Sequence, residues 1–405
     1  MNKLISNSVS RLLLWVLAGM MALLQAACKK DGDGGGPLIT HVRNYAATPG
    51  DTLLTSVLPG QWVVLCGHHL QGALAVTFNG VPASIKSVMF SDTSAVMQVP
   101  AVIPFPSISA DNMNVIRYVT SRGTTTFKFS IVAPPPVITG VSNENANAGD
   151  SVYIYGTNFF FTQQVMFAGQ QINNFTAAGD GASIGFILPQ LSHSGKVTVI
   201  TKSGADSTAY NVNDLSTGML CNFDDINPFS WGTNLENTGT DFPGNKGNYA
   251  VLKNDVLAGG DGSWWNNQRS INTNEVQWVP RDSLQAPLDR YALKFEINVP
   301  SAWNGTTLYV VRNYSRDYMA RYEPWQSATG TAANYVTKGW RTVTIPFSSF
   351  RSNDGKGVSA ADLTTLLTNT GAGPVNIQTA NFSASPTATG FYAAIDNIRV
   401  VKIKR

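Results

Sequence analysis

Two segments of the chain repeat each other in one register, and this repeat limits the folds open to the first half of the sequence. Residues 37–44, Pro-Leu-Ile-Thr-His-Val-Arg-Asn, return as residues 136–143, Pro-Val-Ile-Thr-Gly-Val-Ser-Asn. The matching residues that follow are all the same number of positions apart: Gly60 and Gly149, Gly67 and Gly156, Val76 and Val165, Phe78 and Phe167, Gly80 and Gly169, Pro100 and Pro189. The first copy has an extra loop at about residues 45–59, where the second has only residues 144–148. One small unit is therefore present twice.

Each copy has the pattern of short strands joined by turns. Residues 152–155, Val-Tyr-Ile-Tyr, alternate with the period of a half-buried strand and end at a Gly-Thr-Asn turn. Residues 165–167 predict the next strand, and Gly169 predicts the hairpin after it. Strands of this length with frequent turn signals indicate a small antiparallel sandwich.

The second copy closely resembles the IPT/TIG immunoglobulin-like domains through the pattern Pro-x-Ile-x-x-Val … Gly-Asp-x-Val-x-Ile-x-Gly-x-Asn-Phe … Val-x-Phe-x-Gly. The first copy departs from it at Gln61 and at residues 68–70, His-His-Leu. The expected domains are residues 37–132 and 133–213. The proline-rich residues 132–136 between the copies are expected to be stiff, so that the two sandwiches form a rod that acts as a spacer. Binding of a partner protein by the sandwiches is the alternative.

His68, His69 and the cysteines do not predict a metal centre. Adjacent residues on a strand point to opposite faces, and no third ligand stands at a useful spacing from the two histidines, so they are interpreted as turn residues. Cys66 lies in a predicted strand and Cys221 in another domain. A disulfide between them is possible in an oxidising compartment, but two unpaired thiols are favoured.

The N-terminus has the features of a secretory signal. Lys3 and Arg11 precede an apolar run at residues 12–24, which is too short for a spanning helix and ends in Leu-Gln-Ala-Ala-Cys at Cys28. This ending resembles the bacterial lipobox, which implies cleavage after residue 27 and lipidation of Cys28. An ordinary signal with an incidental cysteine is the alternative. Acyl chains on Cys28 would tether the protein to a membrane without embedding it.

Residues 28–36 form a polar, glycine-rich linker with no means of packing. Its acidic residues shortly after Cys28 resemble the surface-export signal of Bacteroidota lipoproteins. This resemblance implies a place on the outer face of the outer membrane.

From about residue 214 the composition changes to an aromatic-rich domain, expected to extend to residue 405. Residues 291–300 alternate, which predicts a strand with Leu293, Phe295 and Ile297 facing inward and with Lys294, Glu296 and Asn298 facing outward. Residues 307–312, 340–346 and 391–401 predict further strands, and residues 222–225 are expected to pair with residues 394–400. The fold class is therefore all-β: two immunoglobulin-like sandwiches followed by a C-terminal β-sandwich of the jelly-roll type.

Most of the nine tryptophans lie in this last domain: Trp231, Trp264, Trp265, Trp278, Trp303, Trp325 and Trp340. Only 13% of all residues are charged and the net charge is +3, which argues against nucleic acid and for a polar, uncharged ligand. Trp264 and Trp265 stand in the run Gly-Ser-Trp-Trp-Asn-Asn-Gln-Arg, and Trp231 also has glycine and serine neighbours. Exposed aromatic faces beside amide side chains predict a platform for sugar rings. If the pair lies on a strand, one of the two must face inward.

A second group of candidates lies at residues 320–325, Ala-Arg-Tyr-Glu-Pro-Trp. Arg321, Tyr322 and Trp325 are expected at an exposed rim, with Tyr309, Asn313 and Tyr314 from the preceding strand beside them. Trp303 and Trp340 are interpreted as packing residues, and Trp278 is left undecided.

Catalysis and metal binding find little support in the sequence. A glycosidase needs two carboxylates about 5–9 Å apart, and the glutamates after residue 214 are only Glu236, Glu275, Glu296 and Glu323, of which Glu296 is the one to test. Asp224, Asp225 and Asp396 are candidates for a structural calcium, with ordinary turn acids as the alternative. No cofactor, no catalytic residue and no metal ligand is assigned.

Three segments of the last domain resemble carbohydrate-binding jelly rolls: Leu-Lys-Phe-Glu-Ile-Asn-Val-Pro, Gly-Trp-Arg-Thr-Val-Thr-Ile-Pro-Phe and Ile-Asp-Asn-Ile-Arg-Val. With the lipobox and the two IPT/TIG copies, the whole chain resembles the surface glycan-binding lipoproteins of Bacteroidota polysaccharide-utilisation systems, of the xyloglucan-binding type. The resemblance implies non-catalytic capture of a β-glucan and, as partners, a TonB-dependent transporter and its glycan-binding lipoprotein. A structural or adhesion protein and, less favoured, a β-sandwich glycoside hydrolase are the alternatives.

Overall fold

The computed structural model describes residues 35–85, 89–228, 230–231, 233–266, 268–327 and 329–404, with only the backbone of residues 230–231. The predicted signal, Cys28 and most of the glycine-rich linker lie outside the described residues. Across the described ranges, no helix is long and apolar enough to cross a bilayer. The chain divides into two compact units, with the boundary between Val132 and Ala133.

The first unit holds one small sandwich. Its two sheets have the strand orders β1-β3-β6 and β5-β4-β7-β8, and a short parallel pair joins β2 to β9. The strands are β1 (Leu38–Asn44), β2 (Ser56–Val57), β3 (Trp62–His68), β4 (Ala73–Phe78), β5 (Val81–Pro82), β6 (Ser94–Gln98), β7 (Val115–Thr120), β8 (Gly123–Lys128) and β9 (Ser130–Ile131), with a 3-10 turn at Phe105–Ser107.

The second unit begins with the second small sandwich. Its strands are β10 (Val137–Val141), β11 (Ser151–Thr157), β12 (Thr162–Phe167), β13 (Gln170–Gln171), β14 (Thr176–Ala177), β15 (Ser183–Ile187), β16 (Thr198–Thr201) and β17 (Gly204–Ser207). They form sheets of order β10-β11-β15-β14 and β13-β12-β16-β17 around a core that includes Val152, Ile154, Val165 and Phe167.

Both copies of the sequence repeat contain the same irregular strand pairing. β1 and β10 each carry a register shift near their start, where they pair with β3 and β11. A Cβ on Gly67 would lie 1.8 Å from the Leu38 carbonyl oxygen, and a Cβ on Gly156 would lie 2.1 Å from that of Val137. Only glycine lets the two backbones approach so closely, which explains why both copies keep it.

The larger C-terminal sandwich completes the second unit. Its strands are β18 (Met219–Cys221), β19 (Ser230–Trp231), β20 (Asn234–Glu236), β21 (Tyr249–Leu257), β22 (Ser270–Thr273), β23 (Val276–Gln277), β24 (Tyr291–Asn298), β25 (Thr307–Arg312), β26 (Ala320–Tyr322), β27 (Arg341–Pro346), β28 (Ala372–Gly373), β29 (Val375–Ala380) and β30 (Thr387–Lys402). The helical segments are α1 (Ser352–Gly355), α2 (Leu363–Leu367) and the 3-10 turns Arg281–Ser283, Leu288–Arg290 and Phe347–Ser349.

Two sheets of this domain enclose one hydrophobic core. A six-stranded sheet has the order β20-β21-β30-β24-β27 with β18 also on β30, and a five-stranded sheet has the order β19-β22-β29-β25-β26. Phe295 from β24, Leu308 from β25 and Trp303 are fully buried between them. The predicted all-β class is confirmed, as are the inward residues of β24 and the packing role of Trp303. The start and the end of the domain do pair, but not at the predicted residues: β18 pairs with β30 at Arg399 and Ile398, whereas residues 222–225, which were expected to form this strand, lie in the bend after β18.

The prediction that Lys294, Glu296 and Asn298 face solvent is wrong. All three point away from the core, as the alternation requires, but each is at most 2% exposed. The loop that precedes β11 in the second small sandwich packs on this face and brings Glu144, itself 1% exposed. The outer face of β24 is therefore an interface between two sandwiches.

Four charged side chains, Glu144, Lys294, Glu296 and Arg399, form an interdomain charge cluster at this interface. The Arg399 guanidinium donates to Glu144 Oε2 at 2.8 Å and to both oxygens of Glu296 at 2.8 Å, and the Lys294 ammonium pairs with Glu144 Oε1. Lys294 Nζ also lies 3.3 Å from the ring centroid of Tyr210. Burial alone would raise the pKa of Glu144, but the two cations outweigh it and hold that pKa below its ordinary value.

We expect Glu144→Gln to lower the free energy of unfolding by about 3 kcal/mol, because the substitution leaves buried cations without their counter-charge. Chemical denaturation measures the loss. Glu275→Gln, at an exposed position, is the matched control and should change stability by less than about 0.5 kcal/mol. Equal changes in the free energy of unfolding for the two substitutions would show that the charge cluster does not stabilise the interface between the two sandwiches.

Candidate functional site

The outer face of the five-stranded sheet carries a row of buried polar side chains. Asn272 of β22, Asn376 and Gln378 of β29 and Tyr309 of β25 share this face, and all are at most 2% exposed. The amide nitrogens of Asn376 and Gln378 donate to Asn272 Oδ1 at 3.1 and 3.2 Å, and the Tyr309 hydroxyl donates to Gln378 Oε1 at 2.6 Å. We call these four residues the amide ladder.

The amide ladder holds the loops that carry the surface aromatics. Asn376 Oδ1 accepts a hydrogen bond from the backbone N–H of Tyr314 at 2.7 Å. Ser270 accepts from the Asn272 amide at 2.7 Å and donates through its hydroxyl to the Trp264 carbonyl, also at 2.7 Å. Asn313 and Tyr314 have φ values of 51° and 59°, so the chain turns sharply after β25. The buried polar groups thus fix two surface turns.

Trp264, Trp265 and Tyr314 lie together above the ladder and form what we call the aromatic platform. The ring centroids of Trp264 and Tyr314 are 5.3 Å apart with 35° between the planes, and those of Trp264 and Trp265 are 5.9 Å apart at 81°. Trp265 is 59% exposed and Tyr314 is 38% exposed. The platform therefore presents aromatic surface to solvent on a fixed base.

Trp264 and Trp265 lie in a turn and not on a strand, so alternation does not decide which of them faces outward. The turn is closed by the Trp264 N–H donating to the Gly262 carbonyl at 2.8 Å. Asp261 anchors it by accepting from the Ser263 N–H at 2.8 Å and from Arg269 at 2.9 Å. Both tryptophans remain near the surface for this reason, with Trp264 the more covered of the two.

Basic and aromatic side chains continue the same region beyond the platform. The Arg316 guanidinium lies 5.4 Å from the ring centroid of Phe382 and pairs with Asp354 at 2.6 Å. The Arg321 guanidinium lies 4.4 Å from the same ring and pairs with Glu323 at 2.6 Å. Guanidinium groups stacked on an aromatic ring keep donors at the surface in a defined orientation.

A cleft of about 370 Å³ lies beside Phe382. Arg321, Glu323 and Trp325 line it, together with Asn304, Gly305, Thr306, Thr307, Gln326, Lys356, Asn381, Phe382, Ser383 and Thr387. The Trp325 indole donates to the Thr306 carbonyl at 2.8 Å, which fixes its ring at the wall. Aromatic and hydrogen-bonding groups therefore converge on one concave surface.

The structure places two of the predicted contact residues away from the rim. Tyr309 is fully buried as part of the amide ladder. Tyr322 faces the core, because it alternates with Arg321 on β26; its ring packs near Trp303 and Phe295, and its hydroxyl lies 3.1 Å from that of Tyr335. Burial raises the pKa of Tyr322 far above its ordinary value. Neither ring is presented to a ligand.

The other predicted site residues lie as follows. Trp264 and Trp265 are in the platform, Asn313 is exposed in the turn next to Tyr314, and Arg321 and Trp325 line the cleft. The backbone of Trp231 pairs with Asn272, while its side chain lies outside the described part of the structure.

The sequence analysis does not include Arg316, Phe382 or the three amide side chains of the ladder. The signal for the ladder was present, because Asn272, Asn376 and Gln378 alternate with Ile271 and Ile377 in strands of period two. Arg316 and Phe382 stand in polar loops, and only the tertiary fold brings them together.

Of the acids considered for calcium, Asp224 and Asp225 serve in turns, whereas Asp396 is buried within β30. Asp224 Oδ1 accepts from the Asn248 N–H at 2.8 Å, and Asp225 Oδ1 accepts from the Asn222 amide at 2.7 Å. No group of three or more His, Cys, Asp or Glu side chains within the described ranges could hold a metal ion. Cys66 and Cys221 are free thiols.

Fold and site together define a β-sandwich of the carbohydrate-binding class: aromatic rings over a rigid polar base, with hydrogen-bonding groups at their edge. Residues 212–402 match the family described as the surface glycan-binding protein B xyloglucan binding domain. This match covers the C-terminal domain, and it confirms the predicted resemblance to surface glycan-binding proteins.

Two known proteins are also similar to the chain. The crystal structure of surface glycan-binding protein PbSGBP-B from Prevotella bryantii shares the fold, with a TM-score of 0.68 and 21% identity over 91% of this chain and 99% of that one. An IPT/TIG domain-containing protein of Bacteroides ovatus is 28% identical over 163 residues, which cover 40% of this chain and 33% of that protein. The chain thus spans about a third of the length of that curated relative.

We expect Trp264→Ala and Trp265→Ala to affect stability unequally. Trp264 packs between two aromatic rings, so its truncation should lower the free energy of unfolding by about 1–2 kcal/mol. Trp265 is exposed, and its truncation should lower the free energy of unfolding by less than about 0.5 kcal/mol. Urea denaturation of the two variants measures this difference. Equal losses would mean that the turn does not hold the pair as described.

Proposed function

We propose that the chain is a cell-surface lipoprotein that binds a plant-type polysaccharide, a β-glucan such as xyloglucan, without cleaving it. It presents this glycan to the uptake system of the outer membrane. The observation that carries the proposal is that the match to a xyloglucan-binding domain family, residues 212–402, includes every residue of the aromatic platform and of the cleft.

The chemistry of the site supports a neutral glycan. The C–H faces of a pyranose ring are apolar and stack on aromatic rings, while its hydroxyls need hydrogen-bond donors and acceptors at the ring edge. Trp265 and Tyr314 offer the exposed rings, Asn313 adjoins Tyr314 in the same turn, and Arg321 and Gln326 offer polar groups in the cleft. A stack of this kind contributes on the order of 1–3 kcal/mol, by analogy with bases stacked on aromatic side chains.

The positions of the glutamates support binding without catalysis. Glu296, the acid that the sequence singled out for testing, is buried in the interdomain charge cluster and bound by Arg399. Glu323 lines the cleft but is bound by Arg321 and by the Thr307 hydroxyl. A glycosidase requires two carboxyl groups, one on either side of the scissile bond, and Glu323 is the only carboxyl side chain among the described residues that line the cleft.

Affinity electrophoresis in gels containing xyloglucan, mixed-linkage β-glucan, galactomannan or no glycan tests the proposal. Retardation by a β-glucan is expected for the intact chain. Trp265→Ala with Tyr314→Ala should abolish most of it, because both exposed rings of the platform are lost. Trp62→Ala, which removes an exposed tryptophan of the first sandwich, is the matched control and should behave as the wild type. Retardation by none of the glycans, with folding intact, or release of reducing ends from them, would contradict the proposal.

The lipid anchor and the uptake partners belong to the same proposal. Their support is the Leu-Gln-Ala-Ala-Cys ending at Cys28, the two aspartates in the linker after it, and the resemblance to lipoproteins that serve a TonB-dependent transporter and its glycan-binding partner. Tethering by acyl chains would keep the site at the cell surface.

We expect Cys28→Ser to abolish incorporation of a labelled fatty acid and to release the protein from the membrane fraction. Digestion of intact cells by an added protease should remove the wild-type protein, since the proposal places it on the outer face. Cys66→Ser is the matched control and should retain the label. A labelled Cys28→Ser variant, or a wild-type protein that protease reaches only after cell lysis, would contradict the proposed placement.

A further inference from the structure

A pair of tyrosines is exposed on the second small sandwich, outside the matched family domain. Tyr153 and Tyr155 stand two positions apart on β11, on one face of the sheet, and are 42% and 39% exposed. Their ring centroids are 6.4 Å apart and their planes differ by only 11°. Two nearly parallel aromatic rings at the surface form a patch of the kind that marks binding sites.

The sheet fixes the ring of Tyr153. Tyr153 pairs with Gly185 of β15, and a Cβ on Gly185 would lie 2.8 Å from Cε1 of the Tyr153 ring. The ring therefore leans over the glycine and occupies the space of the missing side chain. A ring held in this way loses little conformational entropy when a ligand stacks on it.

The neighbouring domain holds Tyr155. Nη1 of Arg341, on β27 of the C-terminal sandwich, lies 3.2 Å from the Tyr155 hydroxyl and donates a hydrogen bond to it. The interdomain charge cluster stabilises the same interface. Both tyrosines therefore belong to the second small sandwich, and Arg341 of the C-terminal sandwich stabilises the position of Tyr155. This arrangement is preformed in the structure.

The side chains next to the tyrosine pair indicate which class of ligand could bind there. A cleft of about 630 Å³ beside Tyr153 is lined by hydroxyl and amide side chains, among them Ser151, Asn173, Asn174 and Thr176, and by a few apolar side chains such as Phe175 and Ile187. Among the described residues that line this cleft, none carries a charge. A lining of aromatic, hydroxyl and amide groups complements an uncharged, polyhydroxylated chain.

We infer that Tyr153 and Tyr155, with the adjoining cleft, form a second binding site for a neutral polysaccharide. The inference extends the proposed function to a domain outside the family match, and it rests on that function for the class of ligand. A polymer offers many repeats, so a second site raises the retention of the protein on the polymer more than its affinity for a short oligosaccharide.

The experiment uses the full chain with Tyr153→Ala and Tyr155→Ala combined, and affinity electrophoresis in xyloglucan, mixed-linkage β-glucan and galactomannan. Retention on the polymer that holds the wild type should fall about five- to tenfold. Binding of a short oligosaccharide of that polymer, measured by calorimetry, should lose its weaker site and keep the stronger one at the platform. Tyr153→Phe with Tyr155→Phe keeps both ring faces and should retain the wild-type behaviour, which separates stacking from loss of the hydroxyl contact with Arg341.

The outcomes separate this inference from the proposed function. Wild-type retention of the alanine double variant would overturn the second site while leaving the platform intact. If removal of the platform rings has no effect while the tyrosine variant loses retention, the proposed site is wrong and the second site stands. Absence of retention for the wild type itself on all three polymers would overturn both.

Discussion

The interdomain charge cluster is the interaction on which the second unit depends. Burying Glu144, Lys294, Glu296 and Arg399 costs several kcal/mol for each charge, and only the arrangement that brings Glu144 onto β24 supplies every partner. Any other placement of the small sandwich would leave Lys294 without its anion and Glu144 without both cations. The cluster therefore selects one orientation of the two sandwiches, and it sets the position from which Arg341 reaches Tyr155.

The functional face depends on a second buried polar system, the amide ladder. Asn272, Asn376 and Gln378 occupy positions where a sheet exposed to water would carry ordinary surface residues. Here they are covered by the turns at Trp264 and Tyr314, and their hydrogen bonds end on the backbone of those turns. A site built in this way combines loop-borne aromatic rings with the rigidity of a sheet, which reduces the entropy lost on binding an extended ligand.

Local sequence patterns predicted the strands and their inward faces well, but they did not predict which parts of the protein pack on the outward faces. The repeat and the alternation in β24 predicted the all-β class and the inward residues of β24, because these depend on the period of the chain itself. Lys294 and Glu296 were assigned to solvent because alternation distinguishes two faces but does not say what covers the second. Tyr322 was assigned to the rim from its polar neighbours, although strand alternation with Arg321 turns it inward.

The sequence by itself determined the repeated sandwich, with Gly67 and Gly156 at matching positions, and the concentration of tryptophan in the last domain, because each depends only on the order of residues along the chain. The tertiary structure alone decided that Tyr314 joins Trp264, that Arg316 and Arg321 meet at Phe382, and that Glu144 meets Arg399. These groups lie far apart along the chain. Their meeting follows from sheet order and from domain docking, which burial energetics and not local pattern determine.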